Sequence, residues 1–374
     1  MINCTDTELG SLLRHFSTEE PSQLAARDEV GQFDSAGWRR LGTLGMLGLL
    51  APPVYGGAGL APGQCVERLC ALGYGCHDNG LLFAAGAHQW GCIMPLLALA
   101  GPEQKAAWLP ALCSGEQIGG LAITEAEAGS DVFALRTQAV AVDGGYRLTG
   151  HKTMITNAPL ADGLLVVAVT DPALGRFGLS AFWVDCHAPG VTIAPLAKSG
   201  LRTVPMGAVT LDGCFVPVER RVGGAGAGMA LFHAAMEWER GLIMAPAVGA
   251  MERQLEWCVA YSRERRQFGR PIGEHQAVAH RLAEMKLRAT QARLLVEHFA
   301  ARKAAGSSAM LEAAMTKVVV SEAWVDSSRS AMQLHGGYGY LAGHWAERDL
   351  RDALGSLAYS GTSDIQRNLI AGLL

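Results

Sequence analysis

The hydrophobic period of this chain changes twice, and that double change constrains the fold more than any single motif. Up to about residue 116 the apolar residues keep helical spacing, as in "AGWRRLGTLGMLGLL". The nearly all-apolar "GLLFAAGAHQWGCIMPLLALAG" should be a helix buried within this first domain. "PPVYGGAGLAPGQ" interrupts with Pro and Gly, and "GPEQKAAWLPALCSGE" reads as a capped helix ending at Gly115. From about residue 117, "GYRLTGHKTMITNA", "GLLVVAVT", "GLSAFWVD", "GVTIAPL" and "GAVTLDGCFVPV" are short β-branched segments between turn residues, the pattern of a mostly antiparallel β-domain. The glycine run "VGGAGAGM" closes it and reads as a hinge. After Met229 helical spacing returns in two long stretches, the second stopping at paired glycines. The expectation is a mainly α chain with a central β-domain: helical over 1–116, β over 117–223, helical over 224–374.

Bulk properties remove several function classes. The 374 residues are 49% hydrophobic and 18% charged, which suits a soluble globular protein. A net charge of −4 argues against a broad nucleic-acid-binding face. The nine cysteines lie scattered in apolar stretches without CxxC or Cys/His ligand spacing, so they read as buried free thiols and no metal is expected. Free thiols favour a reducing compartment. "MINCTDTELGSLLRHFSTEE" lacks the apolar core of a signal peptide, and no uninterrupted apolar run would span a bilayer. No membrane partner is expected, and the cytoplasm is the expected location.

Four kinds of segment carry chemistry. "LAITEAEAGSD" (121–131) offers Thr124, exposed N–H groups and small residues, and "HKTMITNA" offers Thr156 beside Met154. Together they suit one planar cofactor, although the first could equally be a Ser/Gly loop with a helix cap. The arginines of "RERRQFGRPI" suit a pyrophosphate, or else form a solvated helix end. "QLHGGYGY" is either a helix stop or a close approach of nucleotide to backbone. "SGTSDIQR" sets Gly361, Thr362 and Ser363 at a helix start, which favours anions.

In this order and spacing, "ITEAEAGSD", "HKTMITNA", "RRQFGRPIGEHQ", "QLHGGYGY" and "YSGTSDIQR" resemble the acyl-CoA dehydrogenase family from about residue 5 to the C-terminus. The resemblance implies an N-terminal helical domain, an antiparallel β-barrel or sandwich, and a C-terminal four-helix bundle. It implies FAD as cofactor, with Leu121, Ile123, Thr124, Met154 and Thr156 at the flavin ring and Ser130 near both ring and thioester. It implies Arg265, Gln267, Phe268, Gln333 and Gly337 at the diphosphate and adenosine of a neighbouring subunit's FAD, with Thr362 and Asp364 at phosphate and ribose. Such shared sites imply a homo-oligomer, usually a tetramer formed as a dimer of dimers. Met154 stands where the family often has tryptophan, and Ala126–Glu127 where it usually has Pro–Gly.

The family reaction removes the α-proton of an acyl thioester while a β-hydride passes to flavin N5. In most members a glutamate stands where this chain has Ser360, and a serine without a partnering His or Lys is too weak a base. In "HAAMEWERGLIMAPAVGAME", the helical neighbours of Glu239 are Ala235, Met236, Leu242 and Ile243. All four are apolar, so Glu239 faces inward, where burial raises a carboxyl pKa toward what a base needs. Glu237 has Arg240 at i+3 and reads as a surface pair. A minority of the family, isovaleryl-CoA dehydrogenase-like, carries the base on this helix just before an arginine, as in Glu239–Arg240. Glu239 is therefore the expected catalytic base, the alternative being a buried structural glutamate, with Glu237 or Asp364 next in line. Gly241 is expected to leave room for substrate. Ser130, Glu237, Arg240, Ser360 and Gly361 are candidates for contact with the acyl group, and Arg293 or Arg302 for a CoA phosphate.

The resemblance implies as substrate an acyl thioester of CoA or of an acyl or peptidyl carrier protein, as in some relatives from secondary metabolism. It implies an electron-transferring flavoprotein or oxygen as electron acceptor. A thioester reductase, an oxidase or monooxygenase, and an inactive flavin-binding relative are the competing readings.

Overall fold

The computed structural model describes residues 6–374. Helices α1 (Asp6–Arg14), α2 (Pro21–Val30), α3 (Ser35–Thr43), α4 (Pro62–Gly75), α5 (Asn79–His88), α6 (Met94–Leu99) and α7 (Pro102–Ser114) come first. Their starts follow the sequence locally: Asp34 and Asp78 accept hydrogen bonds from the N–H groups of Gly37 and Leu81 at 2.8 and 3.1 Å. A π-helical turn, Gln89–Ile93, joins α5 to α6. The resulting stretch Asn79–Leu99 is the one helix among the described residues long and apolar enough to cross a membrane. It is mostly buried inside the protein. Leu81 and Trp90 enter the helical core, while Ile93 and Leu96 pack with sheet residues Leu165 and Val167. The apolar helix is thus buried between layers and not within the first one alone.

The strands are β1 (Gly119–Ala122), β2 (Gln138–Val142), β3 (Gly145–Thr156), β4 (Gly163–Val169), β5 (Leu179–Asp185), β6 (Val191–Pro195), β7 (Met206–Pro217) and β8 (Arg221–Val222). They lie in the order β6-β7-β3-β2-β4-β5-β8, with β1 parallel to β4. The remaining ladders are antiparallel apart from one parallel pair, Gln138 with Val169 between β2 and β4. β4 is buried on both faces almost throughout, as its unbroken "GLLVVAV" requires. Register shifts in β3 between Lys152 and Ile155 mark an irregularity that bends the strand at Met154, whose φ is +56°.

Helices resume as α8 (Gly228–Leu242), α9 (Ala245–Glu264), α10 (Gln276–Ala304), α11 (Met310–Leu334), α12 (Trp345–Gly355) and α13 (Ser363–Leu373). Between α9 and α10, β9 (Arg266–Gln267) and β10 (Arg270–Pro271) form a small hairpin. First and last helical layers share one core, with Leu13, Leu69 and Leu72 beside Val248, Val296 and Phe299. The glycine run before α8 is a packed joint and not a free hinge. A Cβ on Gly228 would fall 2.8 Å from the Leu179 carbonyl, and Gly226 donates its N–H to Ser180 Oγ at 3.1 Å. All eight described cysteines are free and buried, and burial pushes the Cys70 thiol up to about 12.

Gly241 serves packing and not substrate access. A Cβ there would lie 2.2 Å from ring atoms of fully buried Phe299. Gly241→Ala should therefore destabilise the protein by about 1–3 kcal/mol through overpacking, despite Ala's better helix propensity. A lowered urea midpoint at unchanged m-value checks this, and an unchanged or raised midpoint would contradict it.

Candidate active site

Glu239 lies in the penultimate turn of α8, with Ala235, Met236, Leu242 and Ile243 all buried around it. Its own side chain is half-buried, and loss of water pushes its carboxyl above the usual range. Three groups oppose that rise: the Ser360 hydroxyl, which donates to Oε1 at 2.6 Å, and the positive charges of Arg240 and Lys317. Neither cation spends its hydrogen bond on the carboxylate. Arg240 Nε donates to the Ser360 carbonyl at 3.2 Å, and buried Lys317 Nζ to the Ser356 carbonyl at 2.7 Å. Burial also lowers Lys317 to about 8.

Ser360 sits in the left-handed region with φ +55°, followed by Gly361 at +89°. A non-glycine residue there needs support. The support comes from Arg240 and from Gln366, whose Nε2 donates to the carbonyls of Ser360 and Gly361 at 2.9 and 3.1 Å. The other oxygen of Glu239 faces the π-helical turn. A Cβ built on Gly91 would lie 3.4 Å from Oε2 and 3.3 Å from Leu121 Cβ. The bare backbone of Gly91 therefore lets β1 and the carboxylate approach each other. Leu121, Glu239, Arg240, Ser360 and Gly361 form one cluster.

The two segments expected at the flavin ring are joined by a charge pair that the sequence reading missed. Lys152 Nζ, 1% exposed, donates to the Ile123 carbonyl at 2.9 Å and to Glu125 Oε1 at 2.7 Å. Glu125 also accepts from the N–H groups of Arg136 and Thr137 at 2.7 and 3.0 Å. The Thr153 N–H donates to the Thr124 carbonyl at 2.9 Å. The tight turn Glu125–Ala128 closes with Ala126–Glu127 at its tip, so Pro–Gly is not needed for it. The available signal was a lysine at an inward position of β3. Met154 presents an exposed apolar side chain from the bend in β3, and Thr156 ends the strand half-buried. Ser130 lies exposed beyond the turn.

A second group lies around a separate small core. Tyr261 stacks on His335 at 4.2 Å, which ties the Arg265–Pro271 hairpin to the turn holding Gln333 and Gly337. Arg265, Gln267, Phe268, Gln333 and Gly337 are all exposed, Phe268 at 94% with φ +51°. At the start of α13, Thr362 caps the helix by accepting from the Ile365 N–H at 3.3 Å. Asp364 is exposed and pairs with Arg367 at 3.2 Å.

Glu237 does not pair with Arg240. Its carboxylate is held by Lys303 at 3.0 Å and accepts the Ala309 N–H, at the start of α11, at 2.6 Å. Those bonds commit it to structure and away from Glu239's cluster. Arg293 and Arg302 are engaged by Glu252 at 2.7 Å and Glu312 at 3.0 Å.

Three family models match in chain order: acyl-CoA dehydrogenase N-terminal domain at 5–116, middle domain at 120–214 and C-terminal domain at 226–374. The chain belongs to the acyl-CoA dehydrogenase family. It is 44% identical over 353 residues, 93% of each chain, to an L-prolyl-[peptidyl-carrier protein] dehydrogenase of Pseudomonas fluorescens. A relative of the same name from Serratia is 36% identical, over 89% of this chain and 87% of that one. Among solved structures, the prolyl acyl carrier protein oxidase AnaB superposes with a TM-score of 0.96 at 41% identity, covering 100% of this chain and 99% of that one. PigA with FAD and proline gives 0.94 at 32%, covering 100% and 98%.

This family member is an FAD-dependent oxidoreductase of CH–CH groups in acyl thioesters. Its residues fit the cofactor. Ser363 Oγ is buried without a partner at the start of α13, an arrangement suited to a phosphate oxygen, and Met154 and Phe268 present bare apolar surface. Thr124, Met154 and Thr156 would hold the ring, with Thr362 and Ser363 toward the phosphates.

Lys152→Met would leave the Glu125 carboxylate buried without its cation. That should cost about 3–5 kcal/mol and reduce retained FAD, whereas adding Glu125→Gln should recover part of the loss. Thermal unfolding and flavin content of the purified variants check both, and a fully additive double variant would contradict the pairing.

Proposed function

We propose that this dehydrogenase oxidises a compact ring-bearing aminoacyl thioester, L-prolyl in the first instance, carried on a peptidyl carrier protein, with Glu239 taking the α-proton. The observation that carries this reading is the Glu239 carboxylate itself, pushed above its usual range by burial and without an ion-pair partner among the described residues. The names of the Pseudomonas and Serratia relatives and the prolyl and proline titles of two structural neighbours support the acyl group. A small, water-sized cavity of about 20 Å³ adjoins the Ser360 turn, lined by Leu82, Phe83, Ile243, Trp324 and Tyr359.

The thioester carbonyl acidifies the α-carbon, and Glu239 accepts that proton. Bound FAD supplies the acceptor for the β-hydride, so the substrate loses two hydrogens as proton and hydride. Leu121 and the Gly91 turn stand beside Oε2, and the burial around Glu239 raises the carboxylate's proton affinity. Ser360, lacking any base of its own, does not take the proton.

The remaining partners belong to the same proposal. A second copy covering Phe268 would complete a shared FAD site, in keeping with a homotetramer. Electrons pass on to oxygen or to an electron-transferring flavoprotein; the first is favoured by the oxidase name of AnaB. The uniformly buried free thiols fit a cytoplasmic setting.

Anaerobic mixing with L-prolyl-loaded carrier protein and with butyryl-CoA tests this. Wild type should lose its flavin absorbance with the prolyl substrate and Glu239→Gln should not, with a loss of at least about 10³-fold in rate. Bleaching in both proteins would remove Glu239 as base, and bleaching by butyryl-CoA alone would remove the carrier-bound substrate.

The pH dependence has a definite sign. The reactive form is the carboxylate, so the bleaching rate should rise with pH through a midpoint above the usual carboxylate range, because burial raises this group. Because folding raises this pKa, the stabilisation it contributes is present below the unfolded value and is lost as pH rises through the folded one. Glu239→Gln removes that loss, so its Tm at neutral pH should equal or exceed that of wild type.

A further inference from the structure

The hydroxyl at position 360 has a use that follows from its geometry. Its oxygen lies 2.6 Å from Glu239 Oε1, across 121 residues of sequence. Reaching that position requires the left-handed backbone at Ser360, which a serine adopts reluctantly. Two donors from different elements, Arg240 on α8 and Gln366 on α13, converge on the Ser360 carbonyl. Lys317 on α11 holds the Ser356 carbonyl at the other end of the same segment. Three side chains thus fix the loop that carries this hydroxyl. Oε2, by contrast, looks past Gly91 toward Leu121.

We propose that Ser360 is a positioning residue for the base: held by the clamped left-handed turn, its hydroxyl occupies Oε1 and leaves Oε2 to receive the substrate's α-proton. This rests on Glu239 being the base. A hydroxyl cannot compete for the proton, yet it can hold the carboxylate in one rotamer and favour its charged form. The other groups facing Glu239 are Arg240 on its own helix, Lys317 on α11 and the Tyr359 phenol beside Ser360. Both cations act through space, because their hydrogen bonds go to the loop. Ser360 is the direct hydrogen-bond donor to the carboxylate among the described residues.

The consequence separates hydroxyl from backbone. Ser360→Ala removes the donor and keeps a Cβ, whereas Ser360→Gly removes the donor and relaxes the left-handed residue. With the donor gone, the Glu239 proton should be held about tenfold or more tightly, as expected for loss of a hydrogen bond to a charged group.

Infrared difference spectra of FAD-bound wild type, Ser360→Ala and Ser360→Gly, each against Glu239→Gln, read the protonation of this carboxyl without substrate. Both variants should shift the midpoint upward by about one pH unit. Both should also raise the frequency of the protonated C=O band, which loses its donor. A midpoint that moves in neither variant, or only in Ser360→Ala, would overturn the proposal. If bleaching by prolyl-loaded carrier protein persists in Glu239→Gln, the base assignment fails instead, and the infrared result still reports whether Ser360 sets the carboxyl's affinity. With Glu239 confirmed as base, bleaching in both Ser360 variants should slow about tenfold at pH values below the wild-type midpoint, and an unchanged pH profile would again overturn it.

Discussion

A carboxylate placed on an apolar helix face is the constraint around which this site is arranged. For Glu239 to act as the proposed base, water must not stabilise its charge so far that basicity is lost, nor burial leave it protonated and inert. The structure occupies the range between. Desolvation by Ala235, Met236, Leu242 and Ile243 raises the proton affinity, and one neutral donor with two indirect cations restrains it. A direct ion pair with Arg240 or Lys317 would pull the carboxyl down by about 1–3 pH units and weaken the base. The cations avoid this because their strongest hydrogen bonds go to the carbonyls of Ser360 and Ser356.

That division of labour explains features that look unrelated along the chain. The π-helical turn at Gln89–Ile93 puts Gly91, and no side chain, between Glu239 and β1. An ordinary residue there would push the strand carrying Leu121 away from Glu239. The Lys152–Glu125 pair performs a comparable task on the sheet side, since it ties β3 to the segment after β1 in a place too dry for loops to hold themselves. Its desolvation cost is offset because Glu125 also receives two backbone N–H groups and Lys152 a carbonyl.

The parts of this arrangement legible in the sequence are those set by short-range periodicity. The change from helical to alternating spacing shows where strands begin and end, and the apolar neighbours of Glu239 mark it as inward-facing before any tertiary contact is known. Gly241 shows the limit: a glycine beside the base invites a reading as open space, but Phe299, 58 residues later, fills it. Glu237 shows the same limit, since an i+3 arginine suggested a helix pair while Lys303 and the start of α11 hold the carboxylate. The left-handed backbone of Ser360 and the clamp by Gln366 depend on contacts between separate elements, which spacing on one helix cannot reveal.

If Glu239 is the base, as proposed, its place on the helix instead of the loop changes what each element has to do. On the loop, a glutamate would need its own backbone held against fluctuation for the reacting oxygen to stay in place. On α8, helical hydrogen bonding supplies that rigidity, and the loop can be reduced to a single hydroxyl and a left-handed turn. At position 360 one methylene and a carboxyl give way to a hydroxyl. Beside position 360 stand Tyr359 and Phe83, whose rings lie 4.3 Å apart and line a small apolar cavity. A cyclic acyl group needs width near its α-carbon more than it needs length, because its β-carbon is already held in a ring. On the proposed assignment, a base on α8 and a small side chain at position 360 answer one steric requirement, that of a ring beside the α-carbon.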